Sequence, residues 1–294
     1  EFLSYYYSRY PRPIRDYIWS RMEGLLPFKS TTIGNILTPT WLSKTVGIVD
    51  APKISSKLKI KTSSVDEIIK NRPDVVLLQD SFTTYFRHQP MTSFLQIART
   101  LGFQIAVLPV RPCGKALHVR GKLRAFHAVA HANVRWLEQL KDTNIPIIGI
   151  DPAATLLWRD AYPQILKLDP VKVHLPQEWL IKQDLSPLQI QENWRLFPHC
   201  IEQALVKNSN ALWQQIFDRI GSRLEIINTS CCGMGGLFGH EKEHKKQSIK
   251  IWNQSWSRHV PSTSDSLTTG YSCHSQASRI EQLSLRHPLE VISS

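Results

Sequence analysis

The sequence lacks the features that mark several common protein classes. Its apolar runs stay well short of the roughly 18 residues that a membrane-spanning helix needs. It has no GxGxxG motif of the kind that binds a dinucleotide between a strand and a helix. It has only five cysteines in 294 residues, and a chain of this length can build a core without disulfides. The sequence therefore predicts a soluble protein without a disulfide framework.

The chain carries a formal net charge of +12, which raises the question of a nucleic-acid partner. Its densest basic clusters contain no aromatic side chains on which bases could stack. These clusters are Lys53, Lys57, Lys59 and Lys61, and Lys242, Lys245 and Lys246. The pattern favours a solvated basic face and argues against nucleic acid. Attraction of the basic face to anionic lipid headgroups or to an acidic partner is the functional alternative. We expect a cytoplasmic protein, and peripheral contact with the inner membrane is the alternative location.

Short apolar segments alternate with amphipathic ones from Val65 onward, which is typical of parallel strands covered by helices. The predicted strands are 74–78, 103–108, 145–150, 194–197, 224–227 and 266–271. The predicted helices are 90–101, 117–140, 152–166, 201–220, 241–256 and 275–286. The same order occurs twice. The sequence therefore predicts an α/β fold of two pseudo-repeated lobes, each a mainly parallel sheet covered by helices.

Four of the five cysteines follow predicted strands of the second lobe. Cys200 and Cys273 come at the ends of two strands, and Cys231 and Cys232 follow a third within a glycine-rich loop. Because parallel strands end at the same edge of a sheet, we expect these thiols to lie close together. Thiolates suit an iron–sulfur cluster or a tetrahedral zinc ion. The alternative is that they are ordinary buried cysteines, since free cysteine is among the most buried residue types.

The two lobes can be aligned through these positions. When Ser81 is placed on Cys200, Cys113 falls on Cys232, because each pair is 32 residues apart. A gap of two residues is needed to align the strand ends that precede Cys273. The first lobe then has other residues in place of three cysteines, namely Ser81, Pro112 and Pro152. This alignment predicts a metal site in the second lobe alone.

Residues 240–244 read HEKEH and match the HExxH motif, which on a helix places two zinc ligands and a glutamate base on one face. No third ligand follows at a recognised spacing, so a chance match is preferred to a zinc hydrolase. His199 and His274 adjoin candidate ligands. Because neighbours on a strand point to opposite faces, we expect both to be bystanders and not ligands, with a hydrogen bond to a cluster sulfur as the alternative. Asp80, His118 and Asp151 are expected to cap helices, and a docking or substrate-facing surface is the alternative.

The spacing of Cys200, Cys231-Cys232-Gly233 and Cys273 resembles the duplicated cysteine-rich CCG domain. That domain occurs in the B subunit of heterodisulfide reductase, the glycolate oxidase iron–sulfur subunit and the C subunit of anaerobic glycerol-3-phosphate dehydrogenase. Nearly the whole chain also resembles the C-terminal region of the large bacterial FAD-linked oxidases with iron–sulfur centres. This second resemblance rests on segments 12–16, 79–83, 114–119, 150–153 and 270–273.

The resemblance implies that Cys200, Cys231, Cys232 and Cys273 hold an iron–sulfur cluster in an FAD-dependent D-2-hydroxy-acid dehydrogenase. Electrons would pass from the flavin to a quinone or another acceptor. Several family members have a CxxC pair near the last ligand, whereas here only Cys273 is present, which favours one four-thiolate centre over a non-cubane double cluster. A structural zinc site in a docking domain of the same flavoenzyme is the alternative function, and the HExxH zinc hydrolase is the third.

We divide the chain into three parts. Residues 1–64 are predicted to form an N-terminal helix and a connector, which joins the flavin and ferredoxin-like domains that the resemblance places upstream on the same polypeptide. Residues 65–185 form the first lobe, with its ligands lost, and residues 186–294 form the second lobe with the metal site. Because the chain begins at Glu1 in an aromatic, arginine-rich segment, we expect it to be part of a longer protein and inactive alone.

Overall fold

The computed structural model describes residues 60–236, 238–260 and 265–294. Within these residues the strands are β1 Val75–Leu78, β2 Ile105–Val107, β3 Ile147–Gly149, β4 Val173–His174, β5 Trp194–Phe197, β6 Leu224–Ile226 and β7 Ser266–Thr268. They form one sheet of order β2-β1-β3-β4 and another of order β6-β5-β7, and all pairings are parallel. The predicted α/β fold with two mainly parallel sheets is confirmed.

Helices cover both sheets. The first lobe has α1 Val65–Asn71, α2 Ser81–Tyr85, α3 Gln89–Thr100, α4 Lys115–Val119, α5 Leu123–Leu137, α6 Pro152–Thr155, α7 Ala161–Leu166 and α8 Pro176–Leu180. The second has α9 Cys200–Leu205, α10 Ser209–Arg219, α11 Lys245–Ser255, α12 Tyr271–Glu281 and α13 Pro288–Ile292. Short 3-10 turns lie at Glu138–Thr143, Leu156–Trp158, Phe238–His240 and Trp256–Arg258. None of the described helices is long and apolar enough to cross a membrane.

Several helices are shorter than the sequence predicts. The predicted helix 117–140 breaks between α4 and α5 at Gly121, whose φ of +66° lies in the left-handed region. The predicted helix 152–166 divides into α6, a 3-10 turn and α7, because Pro163 near the start of α7 has no N–H to continue the ladder. The predicted helix 201–220 is likewise two helices, α9 and α10.

The interior continues from one lobe to the other. Val75 and Leu77 of β1 share a single hydrophobic core with Trp194 and Leu196 of β5, and these four side chains are at most 6 % exposed. Each such side chain contributes about 1.5–3 kcal/mol by leaving water, so separating the lobes is unfavourable. The other face of β5 packs on a second core that contains Phe197, Cys232, Trp252, Trp256 and Cys273.

The C-terminal segment returns to the first lobe. Helix α13 packs against α3, and the Gln96 amide donates to the carbonyl oxygen of Ser293 at 2.7 Å. Arg87, buried in the first lobe, donates to the carbonyl oxygen of Leu285 at 2.7 Å and pairs with Glu290. The predicted boundary between residues 185 and 186 stays a prediction, and the predicted N-terminal helix lies outside the described residues.

The strand registers correct the predicted alignment of the two lobes. Leu78 pairs with Gly149 in the first sheet, and Phe197 pairs with Thr268 in the second. Phe197 stands 119 positions after Leu78, and Thr268 stands 119 positions after Gly149. The registers that join β2 to β1 and β6 to β5 are related by the same offset. The repeat therefore needs no gap of two residues.

Candidate metal centre

Cys200 is the first residue of α9, directly beyond the end of β5. The preceding His199 caps this helix, since its Nδ1 accepts the N–H of Ile201 at 3.2 Å. The His199 N–H itself donates to Oγ1 of Thr269 at 3.0 Å, which ties the end of β5 to the segment after β7. The half-buried Cys200 thus stands at the carboxyl edge of the second sheet.

Cys231 and Cys232 lie in the loop after β6, and Gly233 sets the shape of that loop. Gly233 has a φ of +88°, and a Cβ there would lie 2.4 Å from the carbonyl oxygen of Ser248, so a side chain does not fit. The Gly233 N–H donates to Sγ of Cys231 at 3.3 Å, and this hydrogen bond favours the thiolate. Cys231 is exposed, whereas Cys232 is buried.

Cys273 lies in the first turn of α12, which corrects the prediction that it ends a strand. Strand β7 ends at Thr268, and α12 begins at Tyr271. One turn beyond Cys273, the Gln276 amide donates to the carbonyl oxygen of Cys232 at 2.9 Å and ties α12 to the cysteine loop. Cys273 is 1 % exposed, so it reaches the site from a buried helix.

The four thiols form one hydrogen-bonded run from Cys200 through Cys231 and Cys232 to Cys273. Hydrogen bonds from Cys200 and then Cys232 hold the pKa of Cys231 far below its ordinary value. The hydrogen bond to Cys231 and burial raise the pKa of Cys200, and hydrogen bonds with Cys231 and Cys273 raise that of Cys232. Cys200 and Cys232 therefore keep their protons in the metal-free chain, and all four groups become thiolates when a bound metal ion offsets their charge.

The first lobe has no such set. Cys113, which stands 119 positions before Cys232, is buried beside Tyr162, whose hydroxyl donates to the Cys113 carbonyl oxygen at 2.8 Å. With the offset of 119 positions between the two lobes, the counterpart of Cys273 is Ala154. The predicted alignment of Pro152 with Cys273 is therefore wrong. The first-lobe counterparts of the other three cysteines are thus Ser81, Pro112 and Ala154.

A cavity of about 220 Å³ is lined by Cys200, Cys231 and Cys232 on one side and by Lys115 of the first lobe on the other. The donor set of four cysteines fits either a tetrahedral zinc ion or an iron–sulfur cluster. Elsewhere in the described part of the chain, the ligand atoms of Glu241, Glu243 and His244 all lie within 4.8 Å of one another.

The two histidines next to cysteines differ in position. His199 lines the cavity, close enough to Cys231 to sense its charge, and its Nε2 lies 3.0 Å from Oγ of Ser272. Burial lowers the pKa of His199. His274 instead directs Nδ1 to the carbonyl oxygen of Leu285 at 2.9 Å, away from the thiols. The ring nitrogens of His199 face the Ile201 N–H and the Ser272 hydroxyl, and the expectation that both histidines are bystanders stays a prediction.

Asp80 and Asp151 cap helices α2 and α6 as expected, whereas His118 stacks on Phe126. Asp151 has a second role that the sequence did not reveal. Its Oδ2 accepts the N–H of Tyr271 at 2.9 Å, so one carboxylate caps α6 in the first lobe and α12 in the second.

The second lobe has no capping side chain of its own at this point. The N-cap of α12 is Gly270, which stands 119 positions after Asp151. A Cβ on Gly270 would lie 2.1 Å from the ring of His199, so the buried imidazole excludes any capping side chain there. The helix that carries Cys273 therefore depends on the first lobe for its cap.

Residues 240–244 do not form the helix that a zinc hydrolase motif requires. His240 belongs to a 3-10 turn, and α11 begins only at Lys245. His240 is 2 % exposed, while the His244 side chain is 40 % exposed. The helical geometry of the HExxH hypothesis is therefore absent from this segment.

Comparison with known proteins finds similar sequences among bacterial dehydrogenases. No family model matches it. It is 36 % identical to D-2-hydroxyglutarate dehydrogenase of Pseudomonas putida and 31 % identical to that of Escherichia coli, in each case over 99 % of the chain and 31 % of the relative. It is 22 % identical to the C subunit of anaerobic glycerol-3-phosphate dehydrogenase of Escherichia coli, over 76 % of the chain and 59 % of that protein.

The chain spans about a third of the length of the curated dehydrogenases that it matches. Their similarity extends over nearly all of its residues, the two lobes and the cysteine loop included. The chain is therefore similar, over nearly all of its residues, to part of the bacterial D-2-hydroxyglutarate dehydrogenases, and the predicted resemblance to the C-terminal region of the FAD-linked oxidases is confirmed.

Proposed function

We propose that this chain is the electron-transfer module of an FAD-dependent D-2-hydroxy-acid dehydrogenase, with an iron–sulfur cluster held by Cys200, Cys231, Cys232 and Cys273. The observation that carries the proposal is the hydrogen-bonded run of these four thiols, three of which line one cavity. The oxidoreductase class is supported by the names of the relatives. The donor is FAD, which the family resemblance assigns to a part of the polypeptide outside this chain, together with a ferredoxin-like domain. The acceptor is a quinone or another carrier.

A bound iron–sulfur cluster supplies a one-electron redox couple, and the protein tunes it. The Gly233 N–H donates to the Cys231 sulfur and stabilises negative charge on it, which would raise the reduction potential of a cluster bound there. The burial of Cys232 and Cys273 excludes water from two of the four sulfurs. Trp256 donates its indole N–H to the carbonyl oxygen of Ser230 at 2.9 Å and so fixes the start of the cysteine loop.

A structural zinc ion is the alternative, because four thiolates also make a closed zinc site. The family resemblance favours the cluster over this alternative. For the location we propose the cytoplasm, with the basic surface available for peripheral contact with the inner membrane and no role for nucleic acid. These assignments rest on the scattered charge of the chain.

Anaerobic purification of the chain, followed by analysis of iron, acid-labile sulfide and zinc, tests the proposal. We expect iron and sulfide with a broad visible absorption band, and loss of both in Cys232→Ser. Cys113→Ser is the matched control, since it removes a buried thiol at the equivalent position of the first lobe and should leave the metal content unchanged. Stoichiometric zinc without iron would overturn the electron-transfer assignment, and so would a full iron content in Cys232→Ser.

A further inference from the structure

A second cavity lies beside the one that the cysteines line. Its volume is about 230 Å³, and it shares five lining residues with the cysteine cavity. The shared residues are Phe82, Lys115, Val119, Gly235 and Gly236. Since Cys231 is the exposed member of the four thiols, a molecule in this second cavity would approach the metal centre without crossing a buried layer of protein. We call it the acceptor cavity.

The walls of the acceptor cavity are apolar and partly aromatic. Phe82 stacks on Tyr271 with ring centroids 5.2 Å apart and an interplanar angle of 18°, which holds its ring in one orientation. Ala116 and Val119 of α4 add aliphatic surface, and Phe238 adds a second aromatic ring. Walls of this kind bind flat apolar rings, while a few polar groups fix their orientation.

The polar end of the cavity is formed by His244, Glu241 and Arg120. Nε2 of His244 lies 3.2 Å from Oε2 of Glu241, and the other carboxylate oxygen of Glu241 pairs with Arg120 across the two lobes. The imidazole stacks on Phe238 with ring centroids 4.2 Å apart and an interplanar angle of 12°. The histidine is therefore held in place while its exposed side can exchange protons with water.

This polar group is poorly suited to a metal ion. Both oxygens of Glu241 already face positive or N–H partners, and a divalent cation bound there would lie beside the Arg120 guanidinium. A histidine at ion-pair distance from a carboxylate forms instead a common proton-transfer pair. Such a pair can deliver a proton to a substrate oxygen in an adjoining cavity.

We propose that the acceptor cavity binds a quinone-class acceptor, a planar ring with carbonyl oxygens, and that His244 donates a proton to it during reduction. This inference rests on the proposed function, because the electrons come from the metal centre. The quinone gains two electrons in two successive transfers, with the centre re-reduced between them by the flavin hydroquinone. One proton comes from His244, which is replenished from water, and the second comes from water, so that the product is the quinol.

Two kinds of measurement test the proposal. The first is equilibrium binding of oxidised 2,3-dimethoxy-5-methyl-1,4-benzoquinone to the metal-free chain, in wild type and in Ala116→Trp and Val119→Trp. Both substitutions place bulk in the cavity, and Val119 is 56 % exposed, so its variant retains the fold. We expect at least tenfold weaker binding in both variants. Unchanged binding in both would overturn the location, whatever the metal content.

The second measurement is oxidation of the dithionite-reduced, iron-loaded chain, in excess over the acceptor. We expect His244→Gln to slow reduction of the quinone by about a hundredfold, the lower end of what a general acid contributes. Ferricyanide takes one electron and no proton, so its reduction should be unchanged. His127→Gln, at an exposed histidine on α5, is the control and should match wild type with both acceptors.

Equal slowing with both acceptors in His244→Gln would overturn the proton-donor role, and so would quinone reduction at the wild-type rate. Absence of iron from the wild-type chain would instead contradict the proposed electron-transfer function. The binding measurement would still decide whether the cavity takes a quinone, so the two failures can be told apart.

Discussion

Asp151 holds the cap of a helix in each lobe, and its replacement tests how Cys273 is positioned. The carboxylate accepts three backbone N–H groups, two in α6 at 2.9 and 3.1 Å and one in α12 at 2.9 Å. Loss of one N-cap costs about 0.5–2 kcal/mol, so Asp151→Ala, which removes two, should lower the free energy of unfolding by about 1–4 kcal/mol. The side chain is 2 % exposed, which leaves these N–H groups with little access to water as a substitute.

The effect should be local as well as global. A loss of about 1 kcal/mol at the start of α12 raises the population with a frayed first turn about fivefold. Cys273 is 1 % exposed, so its thiol reacts only from such open states. We therefore expect labelling of Cys273 in the metal-free chain to be about fivefold faster in Asp151→Ala, measured by mass spectrometry of the labelled peptides. Urea unfolding of the same samples gives the global change.

Ser64→Ala is the matched control. Ser64 caps α1 by accepting the N–H of Glu67 at 3.2 Å, so the variant loses one cap that has no link to the second lobe. It should cost about 1 kcal/mol and leave the labelling rate of Cys273 unchanged. If Asp151→Ala is destabilised but Cys273 reacts at the wild-type rate, α12 keeps its first turn without Asp151 and the reasoning is refuted.

Two further predictions concern single positions. Gly233→Ala should lower the free energy of unfolding, measured in urea, by at least about 2 kcal/mol more than Gly102→Ala. Both glycines have φ above +80°, but of the two only Gly233 would bring its Cβ against a backbone oxygen. Equal losses of stability in the two variants would contradict this steric argument. Burial and the nearby Asp151 raise the pKa of Asp80 from 3.8 to about 7. Between these two pH values the folded state keeps a proton on Asp80 that the unfolded state has lost. The stability that this proton contributes is therefore present below pH 3.8 and is lost as pH rises to about 7. Asp80→Asn keeps the cap, and its free energy of unfolding relative to wild type should rise between about pH 5 and pH 8. Urea unfolding of both proteins at these two pH values measures the change, and an equal difference in free energy of unfolding at both would contradict the raised pKa of Asp80.

The sequence predicted the features that depend on local pattern. Strand β1 is a continuous apolar run, and β5 is apolar apart from Arg195. The order of such strands and the helices was enough to predict two parallel sheets. Helix ends were less predictable, because Gly121 lies inside a pattern that is otherwise helical. Cys273 was placed at a strand end because the predicted strand 266–271 is too long: β7 ends at Thr268, and α12 begins at Tyr271.

Contacts between distant residues could not be predicted at all. Asp151 and Tyr271 are 120 residues apart, and nothing in the local sequence of either one indicates a shared hydrogen bond. The same holds for Arg120 and Glu241, which close one end of the acceptor cavity from opposite lobes. The HExxH pattern misled because sequence spacing alone does not tell a helix from a succession of turns.

These contacts explain why a lobe without thiol ligands remains part of the site. The first lobe supplies the cap of the helix that carries Cys273, through Asp151. It supplies Lys115 and Phe82 to the walls of both cavities. The second lobe cannot replace the cap, since His199 occupies the space that a side chain on Gly270 would need. The first lobe therefore positions the centre that the second lobe holds, and the two lobes act as a single unit around it.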